Sequence, residues 1–95
     1  MAKWHNEVTD RLIKTIVDLK DCDEAYMFLE DLCTVKEIRE MAQRLQVASL
    51  LKQNKSYQEI SAITGVSAAT ISRVSRCLNY GTGGYEAVLL KEETK

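Results

Sequence analysis

The sequence predicts an all-α fold of five or six helices, and three observations predict it. Proline is absent, Ala, Leu, Glu and Lys are plentiful with few β-branched runs, and apolar residues recur every three or four positions. At 95 residues the chain forms one domain, 1–95, with a modest core. Its stability is marginal unless a disulfide, a metal or a partner chain contributes.

Each element has its own signal. Trp4, Val8, Leu12, Ile16 and Leu19, with Ile13 and Val17 widening the stripe, predict an amphipathic helix over about 4–20. Asp21 or Asp23 caps the next helix, which is expected to bury Tyr26, Met27, Leu29 and Leu32. Thr34 and Glu37 form a capping box, in which the threonine oxygen accepts from the Glu37 backbone and the carboxylate reaches back. It opens a long helix with Ile38, Met41, Ala42, Leu45, Ala48 and Leu51 on one side, ending near Asn54. Ser56 and Glu59 make a second box, and that helix must stop at Gly65, a residue that tolerates the left-handed conformation. Ser67 caps a further helix running to about Asn79. The stretch Asn79–Gly84 reads as a stop and a flexible hinge, and Tyr85, Ala87, Val88 and Leu89 as a last short helix.

Between 56 and 79 this is the layout of a helix-turn-helix: a short helix, a glycine turn and a second helix. Ile60, Val66, Ile71 and Val74 fall where the two helices need apolar groups, and Ser61 is small where they touch. Ser67, Ala68, Ala69, Thr70, Ser72, Arg73 and Arg76, with Gln58 on the first helix, are the candidate DNA-binding residues. Small side chains at the start of the second helix admit its backbone to a major groove, where hydroxyls and arginines address bases and phosphates. The charge distribution agrees. Although the net charge is −1, residues 32–79 carry seven basic and three acidic side chains, whereas residues 1–31 carry four basic and eight acidic. The plainer alternative is a helical hairpin used only for packing.

The first half has more apolar surface than so short a chain can cover. A two-fold dimer would bury it, with a dimerisation core at 4–53 and 85–90, and would set two recognition helices about 34 Å apart. A compact monomeric bundle is the alternative.

The segments LCTVKEIREMAQR and SYQEISAITGVSAATISRVSRCLNYGTGGY, spanning Leu32 to Asn79 and beyond, resemble the Trp repressor superfamily and most closely its YerC/YecD-type branch. The resemblance implies an intertwined homodimer whose first, second, third and last helices form a shared core. Its heads would bind double-stranded operator DNA as a transcriptional regulator. It also implies a candidate effector pocket at Thr34, Arg44, Arg73 and Cys77, the first three matching positions that hold the corepressor tryptophan. Val74 stands where the repressor has a glycine beneath the indole, and Cys77 replaces a serine near the ligand's amino group. The expected effector is therefore a small molecule other than tryptophan, or none.

Other chemistries find little support. The single histidine, His5, has no Ser/Asp or Cys set around it, so no catalytic residues are assigned. Cys22, Cys33 and Cys77 lack metal-ligand spacing and read as reduced thiols of a cytoplasmic protein. The acidic cluster Asp18, Asp21, Asp23 and Glu24 has no calcium-loop spacing, and Gly81–Gly84 lacks the lysine of a phosphate loop. No cofactor or metal is expected, and no apolar run approaches a membrane span or a signal-peptide core. The rival from another class is a helical protein-interaction dimer without specific DNA binding.

Overall fold

The structure, a computed structural model, describes residues 3–93. They form six helices and no strand: α1 Glu7–Val17, α2 Cys22–Leu32, α3 Val35–Lys52, α4 Tyr57–Thr64, α5 Ala68–Tyr80 and α6 Gly84–Glu93. The chain divides into two compact units, with the boundary after Ile38, inside α3.

In the first unit α1 starts later than its apolar stripe. Asn6 caps it, accepting from the backbone of Val8 and Thr9 at 2.9 Å, while the Thr9 hydroxyl accepts from the Asn6 N–H. This reciprocal cap fixes the helix start at Glu7 and leaves Trp4 outside, its ring meeting His5 edge-on with centroids 4.2 Å apart. Asp21, not Asp23, caps α2, accepting from the Glu24 N–H, and the Glu24 carboxylate accepts from the Lys20 backbone. The expected burial along α2 does not occur. Tyr26, Met27 and Leu32 are 67, 62 and 51% exposed, and of the four residues only Leu29 is half-buried. The physical reason is a shortage of cover: neither α1 nor α2 buries any residue within the chain. They face each other along a shallow groove that includes Val8, Leu12, Phe28 and Leu32.

The second unit holds the core. Val47 and Ala48 of α3, Ile60 of α4, Val66 of the turn, Ile71 and Val74 of α5 and Leu89 of α6 are all buried together. Leu50, Leu51 and Tyr85 pack against them. Each aliphatic side chain removed from water contributes about 1.5–3 kcal/mol, so this cluster is the main source of stability in the unit. An exposed ion pair between Lys52 and Glu86 ties α3 to α6 and adds little in water.

Helix ends follow local chemistry. The Thr34 hydroxyl accepts from the Glu37 N–H at 3.0 Å and the Glu37 carboxylate accepts from the Thr34 N–H at 2.8 Å. Asn54 takes the left-handed conformation (φ 63°), with its N–H on the Leu51 carbonyl and the Lys55 N–H on that of Leu50. This pair of bonds closes α3 at Lys52, two residues before the position that periodicity indicates. At the other end α5 runs one residue past Asn79, to Tyr80, and α6 begins at Gly84, so the hinge shrinks to three residues. A side chain at Gly81 would run into the Cys77 carbonyl, which its own N–H caps.

The boxes at Ser56 and Thr34 predict a pH effect. Hydrogen bonds from the Ser56 backbone and hydroxyl lower the Glu59 pKa, and those from Thr34 lower that of Glu37. A carboxylate depressed in the folded state stabilises above its unfolded pKa, and the stabilisation fades as pH falls below the ordinary glutamate value of 4.5. Ser56→Ala should cost about 1 kcal/mol at pH 7. Denaturant titrations should show that penalty shrinking at pH 3; a penalty unchanged between the two would contradict the reciprocal cap.

Candidate DNA-binding face and effector cleft

The helix-turn-helix is assembled by small polar groups that satisfy one another. The Ser56 hydroxyl accepts from the Glu59 N–H and starts α4. Gly65, with φ +77°, ends it, donating its N–H to the Ser61 carbonyl at 2.8 Å. A Cβ at Gly65 would meet open space, so the requirement for glycine is backbone conformation alone, about 1–2 kcal/mol for most other residues. Across the turn, the Ser61 hydroxyl donates to the Val66 carbonyl at 3.0 Å, and Thr64 Oγ1 accepts from the Val66 N–H. Ser67 then caps α5, accepting from the Thr70 N–H at 3.2 Å.

On α5 the buried side chains are Ile71 and Val74, with Thr70, Ser75 and Leu78 half-buried. The opposite side carries Ala69, Ser72, Arg73 and Arg76, spaced three, four and seven residues from Ala69 and all exposed, with Ala68 beside them. Arg73 and Arg76 form no ion pair among the described residues. Gln58 is exposed in the first turn of α4, and Ser67 is exposed at the α5 cap. Of the candidate DNA-binding residues, Ala69, Ser72, Arg73 and Arg76 thus share the exposed side of α5 with Ala68 beside them, presenting cationic, hydroxyl and methyl groups, whereas Thr70 is half-buried.

The candidate effector residues divide. Arg44 and Arg73 line one cleft of about 260 Å³ with Glu40, Gln43, Val66 and Thr70. Cys77 is not among its walls; it borders an apolar groove with Leu45, Tyr85 and Val88. Thr34 belongs to the first unit, where its hydroxyl caps α3. Val74 is 1% exposed and lies in the core rather than in the cleft wall. Sequence reasoning missed Glu40 and Gln43 here. The available signal was position, since Glu40 stands one helical turn before Arg44 and Gln43 beside it.

No group of three or more metal-ligating side chains comes together among the described residues. No helix among them is long and apolar enough to cross a membrane.

The sequence profile described as Trp repressor protein matches residues 7–93, nearly the whole chain. The chain belongs to the Trp repressor family. The YerC protein of Bacillus subtilis (strain 168) is 49% identical over 87 residues, covering 92% of this chain and 84% of YerC. Among solved structures, a TrpR-like protein from Eubacterium eligens superposes with a TM-score of 0.93 at 45% identity, covering 96% of this chain and 94% of that one. A protein from Staphylococcus aureus gives 0.92 at 41% identity, covering 98% and 93%. The expected all-α fold and the expected family are therefore both found. The family takes its name from the Trp repressor, a helix-turn-helix DNA-binding regulator.

Proposed function

We propose that this Trp repressor family member is a sequence-specific transcriptional regulator, that it acts as a cytoplasmic homodimer on double-stranded DNA, and that tryptophan is not its effector. The observation that carries the reading is the exposed side of α5, where two unpaired arginines follow small side chains on a helix whose opposite face is held in the core. Phosphate contacts from such arginines supply affinity, and the small N-terminal residues allow the helix into the groove. A salt titration of binding to promoter fragments tests the function. A protein neutralising several phosphates loses affinity steeply as salt rises. A flat dependence would favour the rival, an apolar protein-interaction dimer.

The homodimer is supported by the exposed apolar side chains of the first unit, including Val8, Ile13, Val17, Tyr26 and Met27. An intertwined dimer has no stable folded monomer, so its melting temperature should rise with protein concentration. Sedimentation showing a folded 10.8 kDa monomer at micromolar concentration would refute it.

Titration calorimetry addresses the effector. The resemblance puts Val74 where the repressor has the glycine beneath its indole, and this side chain is β-branched, stiff and buried in the core. An indole seated there would have to displace a packed core side chain, and overpacking of that kind costs about 1–3 kcal/mol, roughly tenfold to a hundredfold in affinity. L-Tryptophan should give no saturable heat at micromolar concentration, and tight binding coupled to stronger promoter affinity would overturn the expectation. The Arg44–Arg73 cleft leaves room for a different small molecule.

A further inference from the structure

The groups that a helix-turn-helix presents to bases lie at the start of its second helix, and here their hydrogen-bonding capacity is largely spent inside the protein. The Ser67 hydroxyl accepts from the Thr70 N–H and donates to Thr70 Oγ1, both at 3.2 Å. Thr70 is itself half-buried. The exposed groups of the first turn that remain are two methyls, those of Ala68 and Ala69. The Ser72 hydroxyl, one turn further on, has no hydrogen-bond partner among the described residues, but a hydroxyl donates and accepts and so pairs with several base edges. Arg73 and Arg76 stand about 6 and 10 Å along the axis from Ala69, in reach of other base pairs and phosphates. The major groove offers one apolar handle, the 5-methyl of thymine.

We infer that the bases beneath the first turn of α5 are selected as thymines, through contact of their 5-methyl groups with Ala68 and Ala69. The inference rests on the DNA-binding reading and adds the base class that this turn selects. Selection comes from burial of one methyl against another, so it distinguishes thymine from uracil, which no hydrogen-bonding readout does. Burying one methyl is worth about fourfold in affinity, and the symmetric pair in a two-fold site about fifteenfold.

The test begins by selecting duplexes from a random pool with the full-length protein. Each thymine of the selected site is then replaced singly by deoxyuridine, and affinities are measured for the native chain and for the double variant Ala68→Gly/Ala69→Gly. Comparing thymine with uracil within each protein cancels any loss of helix stability caused by glycine. The expected result is one or two thymines per half-site whose replacement weakens native binding about fourfold, with that sensitivity absent in the variant. Uracil tolerated at every position, or sensitivity that persists in the glycine variant, overturns the inference while leaving DNA binding intact. If no duplex is enriched even at low salt, the DNA-binding reading fails and this inference falls with it.

Discussion

Arg73→Ala combined with Arg76→Ala is expected to lower affinity for specific DNA by on the order of a thousandfold at 0.15 M salt. Each phosphate contact releases counterions worth roughly fivefold at that ionic strength, and a dimer carrying the double change loses four such charges. The slope of log affinity against log salt should flatten by about 3 to 4. Neither side chain is buried, so the melting temperature and the sedimentation profile should stay close to those of the native chain. Gel shifts with unchanged affinity would show that the exposed face of α5 is not the face that meets DNA.

Ile71→Ala should have the largest effect on stability. Its side chain is fully buried at the meeting point of the core cluster, and truncation of such an isoleucine costs about 2–5 kcal/mol through lost burial and the cavity left behind. A domain of this length has a total stability of about 5–14 kcal/mol, so the variant should lose a large fraction of it and unfold at a clearly lower urea midpoint than the native chain. Ile63→Ala is the control. Ile63 is chemically the same residue but 54% exposed on α4, and its loss should cost well under 1 kcal/mol. Equal midpoints for the two variants in urea would contradict the core described above.

The contrast between these two isoleucines shows what could be read before any coordinates. Caps and turns were legible because they are local. Ser56, Ser67, Thr34 and Gly65 each act within three or four residues, and each does what its spacing predicts. Ile60, Val66, Ile71 and Val74 were legible as well, since the geometry of two helices meeting at one glycine dictates their places. Burial along α1 and α2 was not legible. An apolar stripe states which side wants to leave water and says nothing about what covers it, so Tyr26 and Met27 look like core residues and are exposed. The cleft fell between these cases. Arg44 and Arg73 come together although 29 positions separate them, whereas Cys77, only four residues from Arg73, turns to a different groove. Sequence separation carried no information about that choice; the direction of each side chain from its helix decided it.

Confinement of the buried cluster to residues 47–89 has a consequence for exchange of backbone hydrogens with solvent. Amides in the middle of α5 can open only when the whole cluster gives way, so their protection should approach the global stability. Amides of α1, which buries nothing within its own chain, have no such interior to hold them and exchange through smaller local openings. In the homodimer proposed above, dilution lowers the stability of the whole fold and should therefore quicken exchange along α5 as well as α1, with α1 the faster throughout: the molecule would carry two clocks, one set by local opening and the other by loss of the entire fold.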